Sequence, residues 1–543
     1  MKKLLIFLII AFTMNLHAQI TSADRPKLVV GIVVDQMRYD YLSRFWNRFG
    51  EDGFKRMVNE GYNFENHHFN YVPTLTGPGH TSVWTGTSPM NHGIISNNWY
   101  NKFEDKMVYC AADESVEPVG TTSSAGKMSP HRMKVTTVAD QNRLHTQMCG
   151  KTIGISIKDR GSILPAGHTA NAAYWFHGAD EGKFITSSFY MKELPQWVQD
   201  FNNSNVAESY FKTWNTLENI STYKESGLDV NNFEGGFRGK NSASFPYDLK
   251  QLKAQNGNFD LIVQTPFGND LTLDFALAAI KAEELGKDED TDFLALSFSS
   301  TDKVGHNFGV NSKEVEDAYL RLDKDLAELL RYLDKNVGEG NYTVFLSADH
   351  GGGDVSAYLE SVKIPAGYFD SKSFTEKLKT FVFQEYGKNN LIKNISNDQV
   401  FFNYEALDEA EIPTEALEEK IAHYILQQDR IHMVFTRSQL EGSSFQHGIG
   451  ELIQNGFNQK RSGDVIFVLD PAVVSYSETG SMHGSGFPYD THAPLIFFGK
   501  GIKHGSTTQR SEVIDIAPTV SALLGISFPD AATGKPLYIM LDN

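Results

Sequence analysis

Short runs of Val, Ile, Leu and Phe without polar alternation recur along the chain, separated by stretches of helical periodicity. The runs are Lys27–Val34, Thr152–Ile157, Phe293–Phe298, Tyr342–Leu346, Val465–Leu469 and Ala493–Phe498. Continuous apolar runs of this length are what strands covered on both faces present, because neither face meets water. Between them, Val315, Ala318, Tyr319, Leu322, Leu326, Leu329, Leu330 and Leu333 fall on one face of a helix whose other face is charged. Asn311 and Glu314 offer it a start resembling a capping box. A second helical stretch is predicted over Glu415–Gln428. Strands alternating with helices predict an α/β fold, a doubly wound and mostly parallel central sheet with helices on both faces.

Two stretches interrupt the alternation. Residues from about 202 to 269 are aromatic, rich in Gly and Asn and weakly periodic, and those from 357 to about 463 mix helical with short strand patterns. Both read as cap-like insertions in one catalytic domain spanning 19–543, the first beside the active face. Ahead of that domain, residues 1–18 place two lysines before the apolar run Leu4–Phe12 and end on Ala18, the pattern of a cleaved secretory signal. The run is too short to span ~30 Å of hydrocarbon. Export to the periplasm, with no membrane attachment after cleavage, is the expectation. In such an oxidising compartment Cys110 and Cys149 form either a disulfide or two separate thiols, and spacing does not choose between them.

Charge narrows the class of partner. The 543 residues carry 49 Lys+Arg against 67 Asp+Glu, a formal charge of −18, with no Lys/Arg-rich run. Phosphate-backbone affinity comes from basic patches, which argues against a general nucleic-acid binder.

The chemistry gathers where strand runs end. Lys27–Val34 leads into Asp35, Phe293–Phe298 into Ser299-Ser300-Thr301-Asp302, and Tyr342–Leu346 into Ser347-Ala348-Asp349-His350. In open parallel sheets the ligand crevice lies outside the carboxyl ends of the strands, so these acids are expected on one edge. One strand ending in aspartate means little; three, with histidines beside two of them, point to metal. Asp302 and His306, four residues apart, share a helix face. His350 follows Asp349 directly, and Gly351-Gly352-Gly353 would allow the sharp turn that brings both inward. His483, bracketed by glycines in SETGSMHGSGF, is the third imidazole. A mixed His/Asp set fits zinc, whereas calcium or magnesium would favour oxygen alone. Thr76 in PTLTGPGHTSVWTG lies just before a helix expected to start at His80, where amide N–H groups stabilise an anion. Taken alone it would be an N-cap; with a metal pair nearby it is a candidate nucleophile.

The segments GIVVDQMRYD, YVPTLTGPGHTSVWTG, GIISNNWY, SIKDRGSILPAGH, TDKVGH, SADHGG and TGSMHGSG stand in this order across essentially the whole mature chain. Together they strongly resemble the PafA-type alkaline phosphatases of bacteria, members of the alkaline phosphatase superfamily related to the type I phosphodiesterase/nucleotide pyrophosphatase branch. The resemblance implies two zinc ions per chain. One would be held by Asp302, His306 and His483, the other by Asp35, Asp349 and His350, with Thr76 as nucleophile and ligand. It also implies that Asn97, Lys158 and Arg160 contact the phosphoryl oxygens, Lys158 standing where commoner relatives place magnesium. The implied activity is broad hydrolysis of small phosphate monoesters through a phosphothreonine, releasing inorganic phosphate, by a monomer. A type I phosphodiesterase is the alternative, and a non-catalytic zinc- or phosphate-binding relative a third reading. A sulfatase is disfavoured, because the Cys/Ser-x-Pro-x-Arg segment is absent.

Overall fold

The computed structural model describes residues 25–542; the signal segment 1–18 lies outside them. Five parallel strands form the centre of a ten-stranded sheet: β1 (Leu28–Val34), β2 (Thr152–Ser156), β3 (Ala172–His177), β4 (Asp292–Phe298) and β5 (Tyr342–Ala348), in the order β5-β1-β4-β2-β3. A sixth strand, β6 (Leu495–Gly499), runs antiparallel beside β5. Every residue of β1, β4 and β5 is buried, as their unbroken apolar runs require. The mostly parallel α/β fold is as expected.

Register makes this sheet useful. Val34 pairs with Phe298 on one side and Ala348 on the other, so β1, β4 and β5 end in one row. The residues that follow, Asp35, Ser299 and Asp349, therefore emerge side by side. Ser156 of β2 pairs with Ser297, which brings Lys158 out at the same edge. Four helices matter to that edge: α1 (Thr76–Thr85), α2 (Asp159–Ala166), α3 (Ser300–Phe308) and α4 (Lys313–Leu333). All eight apolar positions read from the sequence of α4 are buried. Its cap differs from the expectation. Ser312 is the N-cap and accepts from the Val315 amide at 3.1 Å, while Glu314 is buried and accepts from the Tyr247 hydroxyl at 2.6 Å.

One predicted strand belongs elsewhere. Val465–Leu469 is not in the central sheet but in a separate antiparallel sheet of four strands, between Gln399–Phe402 and Ile431–Thr436. The physical reason is that both its faces are covered by different clusters. Val465 and Phe467 pack with Leu378, Leu417 and Ile421, and Ile466 and Val468 with Ile453 and Phe457. A doubly covered strand reads alike in either sheet. The segment 202–269 contributes Trp214, Phe237 and Tyr247 to the main core, where their rings contact Phe308 at the end of α3. Cys110 is buried, Cys149 is exposed and both are free thiols, which settles the question left open by their spacing. Among the described residues no helix is long and apolar enough to cross a membrane.

Candidate active site

Two groups of buried donors meet at the strand ends. Ligand atoms of Asp35, Asp349 and His350 lie within 4.8 Å of one another, and so do those of Asp302, His350 and His483. His350 Nε2 is 3.5 Å from Asp35 Oδ1 and 3.4 Å from Asp349 Oδ2. Asp302 Oδ1 is 3.1 Å from His306 Nε2 and 3.6 Å from His483 Nε2. The His350 and His483 rings stack at 3.5 Å between centroids, so the two groups are contiguous, with His350 standing at their junction.

The tautomers of all three histidines follow from their neighbours. Nδ1 of His306 faces the Ser481 carbonyl at 2.8 Å, that of His350 the Gly351 carbonyl at 2.9 Å, and that of His483 the Thr74 carbonyl at 2.8 Å. A carbonyl only accepts, so each Nδ1 carries the proton and each Nε2 presents a lone pair to the carboxylates. Lone pairs facing carboxylates are a repulsive arrangement that a cation reverses. Asp35 Oδ1, Asp349 Oδ2 and His350 Nε2 are also buried without hydrogen-bond partners, which in native proteins calls for such an explanation. The donors therefore fit metal. Burial, then the neighbouring His350 and His306, hold His483 well below the ordinary histidine range and keep it neutral. Burial and the Asp349 charge push the Asp35 carboxyl up to about 6, against the pull of Lys158.

Lys158 lies between the groups, its Nζ 2.6 Å from Asp35 Oδ2 and 2.6 Å from Asp302 Oδ2. It is the N-cap residue of α2, and Arg160 occupies that helix's first turn. Arg160 Nη2 donates to Thr76 Oγ1 at 3.4 Å and Nη1 to the Tyr109 hydroxyl at 3.1 Å. Tyr109 in turn donates to Asp159, which also accepts from the Arg160 amide at 2.5 Å. Asn97 Oδ1 accepts from the Gly77 amide at 2.7 Å, leaving its Nδ2 as a donor beside Thr76. The site thus holds the nucleophile candidate, a guanidinium and an ammonium beside two metal-fitting groups.

Thr76 differs from expectation in one respect: α1 starts at Thr76 itself, with Leu75 as N-cap, and not at His80. Pro78 is harmless in a first turn, where its missing N–H has no partner to lose. The hydroxyl consequently belongs to the first residue of the helix, at the positive end of its dipole. Gly79 lets α1 approach this closely, since a Cβ there would lie 2.2 Å from the Asp349 carbonyl oxygen. Gly79→Ala is expected to push Thr76 away from the Asp349 group and lower kcat by roughly a hundredfold, the scale for ångström misplacement of reacting groups. Wild-type rates with a folded Gly79→Ala variant would contradict this close-packing role.

Several side chains of the site carry no sequence signal of their own. His80 Nδ1 lies 3.0 Å from the Thr76 carbonyl and 3.3 Å from Asp349 Oδ2. Gln36 donates its amide N–H to Asp349 Oδ1 at 3.1 Å and its side chain to Asp302 Oδ1 at 3.2 Å. His80, four residues beyond Thr76, was findable by helical spacing once the helix start is known. Gly351–Gly353 also act differently from the expected sharp turn. None has a positive φ; Gly351 is required because a Cβ would meet the Tyr489 carbonyl at 2.2 Å. His492 stacks on Tyr39 and His68 and reaches the Glu65 carbonyl, a scaffold role outside the donor groups.

Comparison with known proteins gives the class first. Residues 29–492 match the family described as type I phosphodiesterase / nucleotide pyrophosphatase. The chain is 48% identical to alkaline phosphatase PafA of Elizabethkingia meningoseptica, with 96% of each chain covered, and 46% identical to alkaline phosphatase PhoV of Synechococcus elongatus, with 96% and 94% covered. A crystal structure of wild-type PafA superposes with TM-score 0.91 at 46% identity, covering 95% of this chain and 99% of that one. A solved PafA variant substituted at one threonine, one asparagine, one lysine and one arginine matches equally well. Murine ectonucleotide pyrophosphatase/phosphodiesterase 5, at 13% identity and TM-score 0.53, shares the fold. The chain belongs to the PafA-type alkaline phosphatases within this family.

Proposed function

We propose that this protein is an exported, zinc-dependent phosphomonoesterase that acts on small phosphate monoesters of many kinds and releases inorganic phosphate through a phosphothreonine at Thr76. The observation that carries the reading is the convergence of two buried His/Asp groups on Thr76, Lys158 and Arg160 at one sheet edge. The domain assignment belongs to the same proposal: one catalytic unit, 19–543, with insertions at about 202–269 and 357–463, working as a monomer in the periplasm.

Asp302, His306 and His483 would hold one zinc, and Asp35, Asp349 and His350 the other, with the Thr76 oxygen as a further ligand of the second. Bound there, zinc supplies Lewis-acid polarisation at both ends of an in-line displacement. The chain's own groups do the rest. Thr76 Oγ1 loses its proton and attacks phosphorus, the phosphoryl group passes to threonine and the alcohol departs. Water then attacks the phosphothreonine, restoring the hydroxyl and freeing phosphate. Arg160, held as a planar fork by Tyr109 and ordered by Asp159, is placed to pair two phosphoryl oxygens, and Lys158 meets a further one as a point charge. Asn97 Nδ2 is a further donor to one of these same oxygens. The PafA variant substituted at threonine, asparagine, lysine and arginine supports these roles, because the four types recur here in that order as Thr76, Asn97, Lys158 and Arg160. A phosphodiesterase lacks use for two cations on one phosphoryl group, since a diester presents only two non-bridging oxygens and a single charge.

Chelation is expected to abolish monoester turnover and about two equivalents of zinc to restore it, the count for a two-metal site. Asp302→Ala and His483→Ala should behave like the chelated enzyme. A nitrophenyl monoester should turn over far faster than its bis-ester. Full activity in a metal-free preparation, or preference for the bis-ester, would sink the reading.

A further inference from the structure

A cleft of about 600 Å³ opens off the site and shares Lys158, Arg160 and His306 with it. Its lining also includes the apolar and aromatic side chains of Trp175, Phe176, Val263 and Tyr476. The lining also holds a cation that the chemistry described above leaves unused. Lys303 follows Asp302 in the first turn of α3, and the 100° step of a helix turns it from the donor groups toward the cleft. It is half-buried and lines the cleft beside Lys158 and Arg160.

The three cations differ in what they hold. Lys158 is committed to two carboxylates, and Arg160 to Thr76 and Tyr109. Lys303 Nζ has no hydrogen bond and no ion pair with any described residue. The carboxylates of the cleft do not answer it: Asp159 is engaged by Tyr109 and the Arg160 amide, and Asp260 is exposed. His177 sits 3.6 Å from Glu181. Lys158 and Arg160 repel Lys303 while Asp302 and Asp35 attract it without direct contact, so a half-desolvated ammonium here gains from an anion that joins it.

Resting on the monoesterase reading, we infer that Lys303 forms an anion subsite for the alcohol portion of the substrate. The preferred class is then monoesters whose leaving group carries a second anionic group, a carboxylate or a further phosphate, on a small apolar or aromatic frame that fits the apolar side chains of the cleft. Lys303 acts on what is not transferred, and the phosphoryl group itself is met by Lys158 and Arg160.

The test compares zinc-loaded wild type with Lys303→Met, Lys303→Arg and Lys303→Glu on four probes: phenyl phosphate, 3-carboxyphenyl phosphate, resorcinol bisphosphate and 3-(trimethylammonio)phenyl phosphate. Lys303→Met should lower kcat/KM about tenfold for the carboxylate and bisphosphate probes, the scale of one charge-assisted contact, and leave phenyl phosphate nearly unchanged. Lys303→Arg should keep the discrimination. Lys303→Glu should deepen the loss and raise turnover of the trimethylammonio probe. A loss confined to one of the two anionic probes supports the subsite and tells carboxylate from phosphate as its ligand. Equal losses on all four probes, or none, would overturn the subsite while leaving the monoesterase reading intact. Failure of the wild type on every probe would overturn both.

Discussion

Thr76→Ala is expected to form no phosphoenzyme and to lose at least about three powers of ten in kcat, whereas Thr76→Ser should keep an appreciable rate. The expectation follows from the place of the hydroxyl. Thr76 opens α1, its Oγ1 is within reach of Arg160, and Gly79 holds the helix against the Asp349 backbone. Alanine removes the atom that bonds to phosphorus. What remains is binding and electrostatic stabilisation, which in nucleophile-deleted hydrolases still exceeds the uncatalysed reaction but lies orders of magnitude below the parent. Serine keeps that atom and deletes one buried methyl group, so its cost is in packing and rotamer freedom. Steady-state kcat for the three proteins, each at full zinc occupancy, checks this. A Thr76→Ala enzyme within tenfold of wild type would assign the nucleophile to another group.

The second large effect concerns specificity. Removing Lys158 and Arg160 together is expected to lower monoester kcat/KM by about two to four powers of ten, if each charge-assisted contact is worth roughly 1.5–3 kcal/mol in the transition state. Diester hydrolysis should fall much less, because a diester lacks the second charge these residues meet. Lys158 also lies 2.6 Å from both Asp35 and Asp302, so its loss leaves two buried carboxylates without their ammonium. Damage of that kind would strike both substrates alike, which makes the diester the internal control. The two contributions need not add, since both residues address one phosphoryl group. Equal losses on monoester and diester would mean that these residues serve the fold or bind both substrates uniformly.

The site was legible because its carriers are strand ends. An apolar run that stops at an aspartate is visible in the chain, and the shared register of β1, β4 and β5 turns three such stops into neighbours. The position of His350 at the junction of both donor groups is a fact of ring stacking between distant segments, which no spacing reports. Val465–Leu469 reads like a central-sheet strand because burial on two faces looks the same whichever sheet supplies the cover. The sequence suggests a start for α1 four residues after the true one because Gly-Pro-Gly reads as a turn, although proline fits a first turn well. Gln36 acts through Asp302 and Asp349, both more than two hundred residues away, so its local sequence is silent, whereas His80 combines a distant partner, Asp349, with the Thr76 carbonyl one helical turn back.

The stereochemical course at phosphorus tests the central claim most directly. A monoester made chiral with oxygen isotopes, its phosphoryl group transferred by the zinc enzyme to an acceptor alcohol, reports how many displacements occur whether or not the intermediate accumulates. Two in-line displacements, through Thr76, give overall retention, and that is the result expected here. Inversion would mean a single direct transfer and would contradict a phosphothreonine on the path.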